Sequence, residues 1–402
     1  MSSLADRHVV VVGAGIGGLA AALALIHHGA RVTVLEAADP LGELGAQFSI
    51  GPNATRLLAA LGLLDRLRAV GNRPDAIEFL RWDDGRLLTR SPMGAPGEHH
   101  FGAPQLDFLR PELQLVLARA LPDGVLRTGA RVTGAEQDRD RAWVVLAGGE
   151  RVAGEVVVAA DGIRSALRQA LAGADDPVFS GTIVYRGLIR REDAGAEVPR
   201  AVSRYWVGPH RHGVSYWVGA GAGVLGLAAA VRDAEWARES WTDPGDGDEM
   251  LCAFEGWDPR LRELMARCHT LLRSPVFVRQ PLEHWSYGRI TLLGDAAHAM
   301  EPFNAQGAAQ AIEDAFVLAE CLAAAPATAA VAALERYERV RMARAGALQS
   351  SSAAAANEFY LPDGPEQARR DERYARLHET APWGLRQVFW EHDVRHDLAA
   401  MP

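Results

Sequence analysis

The chain has 402 residues, of which 49% are hydrophobic and 23% are charged, with a formal net charge of -9 and a pI near 5.8. This balance is typical of a soluble globular protein, and the length predicts a large core shared by two closely joined domains. The acidic charge argues against nucleic-acid and anionic-membrane partners, because phosphate groups require concentrated positive charge. All 42 basic residues are arginine, which excludes any lysine-dependent mechanism.

The N-terminal segment MSSLADRHVVVV has no basic region followed by a long apolar stretch and a small-residue cleavage site. No later run reaches membrane-spanning length without charge, so we expect a cytoplasmic protein with no membrane partner. The cysteines are widely spaced and form no CxxC pair, which predicts neither zinc nor a disulfide framework. We expect the short histidine clusters to lie on the surface and no metal to be bound.

The first organised unit is HVVVVGAGIGGLAAALALIHHGARVTVLEA, residues 8–37. It predicts a buried strand, a glycine-rich turn, a helix of small residues and a second strand. Gly13 permits the tight turn, Gly15 lets the backbone approach a pyrophosphate, and Gly18 lets helix and strand pack closely. Glu36 ends the second strand, where it can bond a ribose hydroxyl. The complete set, at the expected separation, predicts a dinucleotide-binding unit.

A second glycine-rich match, GAGVLG at residues 221–226, also follows an apolar stretch. The residues after it suit a strand as well as a helix, so we favour a hairpin tip over a second nucleotide site. Further along the chain, we expect helices over 307–324 and 328–354 and a last helix near 379–394.

These patterns predict an α/β fold with a Rossmann-like domain, an inserted β-rich domain and C-terminal helices. We expect residues 1–75, 101–177 and 286–355 to form the first domain. Residues 76–100 and 178–285, rich in strands and aromatic side chains, should form the substrate domain. Residues 356–402 should form a helical tail.

Three motifs follow predicted strands: GAGIGG, the DG pair at residues 161–162 and the GD pair at residues 294–295. Ligands of doubly wound sheets bind at the carboxyl ends of strands, so the three motifs predict one elongated ligand.

In this combination and order, over essentially the whole chain, the sequence resembles the FAD-dependent aromatic hydroxylases. These single-component flavoprotein monooxygenases include salicylate hydroxylase-like and hydroxybenzoate hydroxylase-like enzymes. The resemblance implies bound FAD, with NADH or NADPH as a transient co-substrate, and O2. The implied reaction is hydroxylation of a small phenolic or heteroaromatic substrate through a flavin hydroperoxide. Flavin-dependent halogenases are disfavoured, because their lysine and their Trp-x-Trp-x-Ile-Pro motif are absent.

The resemblance also implies cofactor contacts. Asp295 should bond a ribityl hydroxyl of FAD, although an aspartate there also suits a helix cap. The backbone amides of Gly307 and Ala308, at a positive helix end, should stabilise negative charge on the flavin. Asp161 should link FAD with the reductant-binding region. Arg110 should reach the pyrophosphate or ribityl chain, or else be an exposed arginine at a helix start.

The substrate site is implied by fewer residues. His212 and Tyr216, four apart on one strand, resemble the histidine and tyrosine that act on a phenol in the family, but His212 also suits a hairpin turn. Pro302 matches a proline whose carbonyl accepts a substrate hydroxyl. Arg186 is the candidate anchor for a substrate carboxylate, with a structural ion pair as the alternative.

Other functions remain open at this point. Within the fold, the protein could be an epoxidase or a tailoring hydroxylase acting on a larger natural product. From other classes, it could be an NAD-dependent dehydrogenase or a noncatalytic flavin-binding protein. We expect a monomer or a homodimer.

Overall fold

The computed structural model describes residues 4–41, 47–173, 175–219, 221, 223–232 and 243–401. Most of its strands belong to two large sheets. Its strands are β1 (His8–Val12), β2 (Arg31–Leu35), β3 (Gln47–Ile50), β4 (Ala76–Arg81), β5 (Leu87–Pro92), β6 (Leu106–Leu109), β7 (Leu126–Arg127), β8 (Val132–Gln137), β9 (Ala142–Leu146), β10 (Arg151–Gly154), β11 (Val156–Ala159), β12 (Val178–Arg190), β13 (Val202–Gly208), β14 (Arg211–Val218), β15 (Val224–Arg232), β16 (Asp243–Pro244), β17 (Thr270–Val278), β18 (Ser286–Tyr287) and β19 (Ile290–Leu292). Its α-helices are α1 (Ile16–His27), α2 (Pro52–Ala60), α3 (Leu64–Val70), α4 (Gly94–Phe101), α5 (Arg110–Ala118), α6 (Ala166–Ala172), α7 (Gly247–Ala253), α8 (Pro259–Ala266), α9 (Asp295–His298), α10 (Gly307–Ala324), α11 (Ala330–Phe359), α12 (Pro365–Ala375), α13 (Leu377–Thr380), α14 (Gln387–Trp390) and α15 (Val394–Ala400).

The first large sheet has the strand order β18-β19-β11-β1-β2-β7, and its central strands β2, β1, β11 and β19 are parallel. The apolar runs of β1 and β11 are buried, as expected for parallel strands covered on both faces. Because parallel strands end at the same edge, the GAGIGG, DG and GD motifs come together there. The predicted Rossmann-like fold is confirmed by this arrangement.

Small residues let α1 lie close to its neighbours. A Cβ atom on Gly18 would lie 2.0 Å from the carbonyl oxygen of Gly13, and one on Gly17 would lie 2.8 Å from the Leu293 side chain. Gly18 does not line a cavity, because it lies beneath the turn where helix and strand meet. Its role is therefore the close packing that the motif predicts.

The second large sheet has the strand order β16-β17-β12-β15-β14-β13-β4-β5. All of its neighbouring pairs are antiparallel except β13 with β4. One face packs on α7 and α8 through an apolar core that includes Trp206, Trp217 and Leu261. The other face carries Tyr205, His212 and Tyr216. Side chains on β14 that are two apart share a face, so this sheet presents a row of side chains to the cavity described below.

The second glycine-rich motif lies where β14 turns back into β15. The two strands pair antiparallel up to Val218 and Val224, which confirms the predicted hairpin. A nucleotide site would need a helix after the glycines, and β15 is a strand. Ala220 and Ala222 lie outside the described residues.

The C-terminal helices differ from the predicted pattern. α10 has the predicted bounds, but α11 continues to Phe359, so the domain boundary placed after residue 355 falls inside this helix. The single helix predicted near 379–394 is wrong, because α13, α14 and α15 occupy the region separately. Pro382 and Gly384 explain the break: proline lacks an N–H group for the helix, and Gly384 has a φ of +91°. In the described part of the chain, no helix combines the length and apolarity that crossing a bilayer requires.

Candidate active site

A cleft runs along the edge of the first sheet, where its parallel strands end. Its outer cavity, about 460 Å³, extends from Glu36 to Asp161. Its inner cavity, about 350 Å³, lies between the GD turn and the second sheet. The two cavities share Gly15, Arg110 and Gly162 in their walls, so they form one elongated site.

The glycine-rich turn shapes the outer cavity. Gly13 has a φ of +99°, and a Cβ there would lie 2.4 Å from the carbonyl oxygen of Ala160. At Gly15, by contrast, a Cβ would meet no described atom within 4 Å, although the residue begins a helix inside the protein. The open space therefore lies on the ligand side. Free N–H groups at the start of α1 face it, which suits an anion such as a pyrophosphate.

Glu36 lies at the carboxyl end of β2, in the wall of the outer cavity. One carboxylate oxygen accepts the Ala14 N–H at 2.7 Å and the other accepts the Ala38 N–H at 2.8 Å. These bonds fix the carboxylate beside the turn, and its remaining lone pairs can accept ribose hydroxyls. Gln114, on α5, donates to the carbonyl oxygen of Ala14 at 2.7 Å. Sequence reasoning missed Gln114, whose spacing carries no motif.

Asp161 and Arg110 line the cleft between its two ends. The Asp161 Oδ1 atom is buried with no hydrogen-bond partner among the described residues, and burial raises the pKa of this carboxyl. A buried acceptor of this kind needs a donor, which a ligand or a water molecule in the cleft can supply. Arg110 is the exposed first residue of α5 and lines both cavities. Its guanidinium can therefore reach an anionic ligand that spans them.

The GD turn forms one wall of the inner cavity. Gly294 has a φ of +63° and is the N-cap of α9, so Asp295 does not occupy the capping position. The Asp295 side chain is exposed and lines the inner cavity. Its carboxylate is therefore available to accept ligand hydroxyl groups.

A buried network of charged side chains on α9, α10 and α11 holds the GD turn in place. Asp314 accepts the Gly294 N–H at 3.0 Å, His298 Nε2 lies 2.6 Å from the same carboxylate oxygen, and Arg341 donates to its other oxygen at 2.8 Å. Glu313 accepts bonds from Arg341 and Arg344, each at 2.8 Å. Burial alone would raise the pKa of the Glu313 carboxyl, but these arginine charges lower it to about 2. Sequence reasoning missed the network, although adjacent acidic residues in the apolar α10 were a usable signal.

The start of α10 faces the same cavity. Gly307 and Ala308 are its first two residues, and a Cβ on Gly307 would meet no described atom within 4 Å. The first N–H groups of an α-helix have no partner inside the helix. The positive end of this 18-residue helix therefore faces open space, where it favours negative charge.

The floor of the inner cavity is one row of residues across the second sheet. Tyr205 pairs with Val214, Val214 with Ala228, and Ala228 with Arg186. With strands about 4.8 Å apart, the ends of this row are about 14 Å apart. Small side chains in the middle leave room for a flat ring, with Tyr205 at one end and Arg186 at the other.

His212 and Tyr216 lie on β14 on either side of this row and face the cavity. The His212 ring packs against the rings of Phe303 and Phe359, with centroids 5.2 and 5.8 Å away. His212 is buried within a strand rather than placed at the hairpin turn. Its Nδ1 atom has no partner among the described residues.

The charge states of these two side chains follow from burial. Burial is the main cause that lowers the pKa of His212 to about 3, and the charge of Arg386 is the second. The imidazole is therefore neutral near pH 7. Burial, with Tyr205 and Asp107, raises the pKa of Tyr216 well above its ordinary value, so the phenol stays protonated. The cavity therefore offers a neutral hydrogen-bond acceptor and a neutral hydroxyl.

The remaining predicted residues also line the inner cavity. Arg186 donates to the Ser274 hydroxyl, and burial lowers the pKa of its guanidinium to about 10, which leaves it charged near pH 7. Pro302 begins a short 3-10 turn opposite the sheet. Glu301 precedes it, and its Oε2 is buried without a partner among the described residues. Burial raises the pKa of Glu301 to about 7, which weakens the negative charge it brings to the site.

Two further cavity residues, Gln47 and Arg386, had no sequence signal. Both polar atoms of the Gln47 side chain are buried with no partner among the described residues. Arg386 comes from the C-terminal segment between α13 and α14. Among the described residues, no cluster of three or more histidine, cysteine, aspartate or glutamate side chains is suited to a metal ion.

The fold and the cleft define a dinucleotide-binding oxidoreductase. Residues 6–352 match the family model described as FAD binding domain. The 3-amino-4-hydroxybenzoate 2-monooxygenase PtnB3 of Streptomyces platensis is 40% identical over 94% of this chain and 98% of its own length. The 6-hydroxynicotinate 3-monooxygenase of Bordetella bronchiseptica is 34% identical over 86% of this chain and 90% of its own.

Among solved structures, a salicylate hydroxylase in complex with substrate superposes with a TM-score of 0.83. It is 27% identical, and the match covers 100% of this chain and 99% of that one. The chain therefore belongs to the FAD-dependent aromatic monooxygenases. The open space at Gly15, the unpartnered Asp161 oxygen and the unshielded start of α10 fit an FAD molecule along the cleft.

Proposed function

We propose that this protein uses NADH or NADPH and O2 to hydroxylate a small phenolic or hydroxylated heteroaromatic ring. One observation carries the proposal: the inner cavity joins the GD turn to an aromatic-walled space that holds the neutral His212. FAD held in this cleft would supply the redox chemistry, with hydride from the nicotinamide as the reductant and O2 as the oxidant, so that one oxygen atom enters the ring and the other leaves as water. The substrates named for the relatives described above also carry a hydroxyl group on an aromatic ring.

The outer cavity binds and orients the cofactor. The amides near Gly15 hold the pyrophosphate, Glu36 holds the ribose, and Arg110 contacts the phosphates or the ribityl chain. Asp295 accepts a ribityl hydroxyl, and Asp161 receives a donor from the cofactor. Each of these groups lines the cleft, where it can bond to the cofactor.

The inner cavity prepares the ring. Transfer of an electrophilic oxygen requires an electron-rich ring, and a phenol becomes more electron-rich as its proton is withdrawn. A neutral His212 can accept that proton in a hydrogen bond. Tyr216 and the Pro302 carbonyl orient the ring, while Phe303 and Phe359 keep water out.

The amides of Gly307 and Ala308 complete the arrangement. They face the inner cavity at the positive end of α10, where they stabilise negative charge on the ring system of the cofactor. Strands within residues 76–100 and 178–285 build the substrate side, so we assign these ranges to the substrate domain.

The test uses the purified holoenzyme with 3-amino-4-hydroxybenzoate, 6-hydroxynicotinate and salicylate, each with NADH and with NADPH. We expect at least one compound to stimulate oxidation of the reduced nicotinamide and O2 consumption, with a product that has gained one oxygen atom, with or without loss of CO2, by mass spectrometry. A flavin-containing protein that no phenolic or heteroaromatic compound stimulates would instead be a noncatalytic flavin-binding protein. Epoxidation of an alkene added as a fourth probe would support the alternative activity.

A further inference from the structure

Arg386 is a buried cation in the inner cavity with no anionic partner among the described residues. The residue is 6% exposed. It donates to the Tyr205 hydroxyl at 3.1 Å and towards the Phe303 carbonyl oxygen at 3.4 Å, and it stacks over the Tyr205 ring at 4.9 Å. These partners are all neutral. Among the described residues, no carboxylate lies within ion-pair distance of this guanidinium.

Burial of a charge without a counterion is unfavourable, and an arginine cannot escape the cost by losing its proton. The Arg386 charge acts on one buried carboxylate, Asp107, whose pKa burial raises and the Arg386 charge helps to lower. Asp107 is already bonded by Ser49, Gln105 and Ser203. The guanidinium therefore retains donors for an anion that enters the cavity, and its planar group suits the two oxygens of a carboxylate.

Arg186, at the opposite end of the floor, is placed differently. It bonds to Ser274 within its own sheet, and its charge interacts with that of Arg110 on the cofactor side of the cleft. Arg386 instead contacts Tyr205 and Phe303, and it does not line the outer cavity. A carboxylate bound to Arg386 would place the attached ring over Val214 and Ala228.

The segment that carries Arg386 is fixed to the FAD-binding side of the molecule. Arg56, on α2, donates to the carbonyl oxygens of Trp390 and His392 at 3.0 and 2.7 Å. The Trp390 side chain is buried beside Phe101. The segment therefore holds Arg386 across the second sheet in a defined position.

We propose that Arg386 binds the carboxylate of an aromatic acid substrate and makes the enzyme selective for acids over their neutral analogues. The inference rests on the proposed function, because it names the substrate class of the same site. Arg386 is then a specificity-determining residue supplied by the C-terminal segment. Tyr205 positions its guanidinium through the hydroxyl bond and the ring contact.

The experiment measures equilibrium binding to the holoenzyme without reduced nicotinamide, from the change in the flavin absorbance spectrum. The probes are 3-amino-4-hydroxybenzoate, its carboxamide and 2-aminophenol. Wild type should bind the acid more tightly than the amide. Arg386→Met should raise the Kd of the acid about 100-fold while changing that of the amide by no more than about threefold. Arg386→Lys should fall between them, because a lysine keeps the charge but loses the planar pair of donors.

Arg395→Met is the matched control. Arg395 lies on α15, pairs with Asp393 and is outside the cavity, so this variant should keep the wild-type preference. Flavin content and circular dichroism establish that each variant is folded, and the lysine variant supplies the test if the methionine variant does not fold. An Arg386 variant that retains the preference for the acid overturns the inference.

Different results would refute the role of Arg386 and the proposed function. If the wild-type holoenzyme hydroxylates phenols but does not distinguish the acid from its amide, the role of Arg386 is wrong and the proposed function stands. If no aromatic compound stimulates nicotinamide oxidation, the proposed function itself fails.

Discussion

The His212 imidazole and the Arg386 guanidinium line the same cavity, and the charge on one affects the protonation of the other. Burial is the main cause that lowers the pKa of His212 to about 3, and the positive charge of Arg386 is the second. A substrate carboxylate paired with Arg386 would cancel the second cause. The pKa of His212 would then rise, so binding of the acid would make the imidazole a better proton acceptor.

Gly15 tests whether the cleft holds the cofactor. Its φ of -66° suits any residue, and the space beside it is open in the protein. Gly15→Val should therefore leave the fold intact and abolish FAD retention, because the side chain would occupy the place of the pyrophosphate. The measurement is flavin absorbance per protein after gel filtration, with circular dichroism as the check on folding.

Substitutions at two other glycines are the controls for Gly15→Val. Gly148, in an exposed turn, also has open space around it, so Gly148→Val should retain the flavin. Gly18→Val should fail to fold, since its Cβ alone would overlap the Gly13 carbonyl. Normal flavin content in a folded Gly15→Val protein would contradict the placement of the cofactor.

Substitution of Asp295 tests whether this residue contacts the cofactor or only supports the local turn. Because Gly294 holds the N-cap position, Asp295→Ala should change stability little but raise the Kd of FAD about tenfold, as expected for loss of a hydrogen bond to a charged group. The measurement is FAD binding to the apoprotein by fluorescence quenching. Asp65→Ala removes a fully exposed carboxylate far from the cleft and should have no effect. Equal FAD affinity in both variants would assign Asp295 to the turn alone.

The network behind the GD turn predicts a pH-dependent loss of stability. Arg341→Met would leave Glu313 and Asp314 buried with less compensation, which should lower the free energy of unfolding by about 3–5 kcal/mol near neutral pH. Arg339→Met, an exposed position on the same helix, is the control. Urea titrations measure both.

The sign of the pH effect follows from the pKa of Glu313, which is lowered to about 2 in the folded protein. In wild type its ion pairs stabilise the fold above the unfolded pKa of about 4.3, and this contribution is lost as pH falls towards 2. The difference between wild type and Arg341→Met should therefore shrink in acid. A difference that stays constant down to about pH 2, the folded-state pKa of Glu313, would assign the arginine a packing role only.

The cofactor end of the site was predictable from the sequence because its constraints are local. Gly13 and Gly18 meet backbone and packing requirements within one turn, and Gly15 between them leaves open space for a ligand. Glu36 follows at the end of the next strand. Such requirements restrict the residue type at fixed spacing. The hairpin at residues 221–226 was predictable for the same reason.

The substrate end was not predictable in this way. Arg386 and Tyr205 are 181 residues apart in the chain, and only the packing of the C-terminal segment on α2 and α11 brings them together. The tail also breaks at Pro382 and Gly384, within the region near residues 379–394 where one last helix was expected. Specificity here depends on long-range contacts, and single-sequence patterns carry little information about them.

The last prediction concerns His212. If its neutral imidazole accepts the phenol proton, His212→Ala should uncouple the enzyme: substrate would still stimulate nicotinamide oxidation, but the reducing equivalents would leave as hydrogen peroxide. Oxygen transfer should fall about 100-fold, the typical contribution of positioned proton transfer. The measurement is the ratio of product to NAD(P)H consumed. The loss should shrink as pH rises towards the pKa of the free phenol, about 10, because solvent then removes the proton.

The pH profile adds an independent check, because burial and the Arg386 charge lower the pKa of His212 to about 3. The acid side of the wild-type profile should therefore show no loss of coupling near pH 6.5, the ordinary pKa of histidine. Tyr360→Phe is the control, since this ring contacts His212 at 5.6 Å but lies outside the cavity wall. A His212→Ala protein with the wild-type coupling ratio at neutral pH would mean that another group accepts the proton, and Tyr216 would be the next residue to substitute.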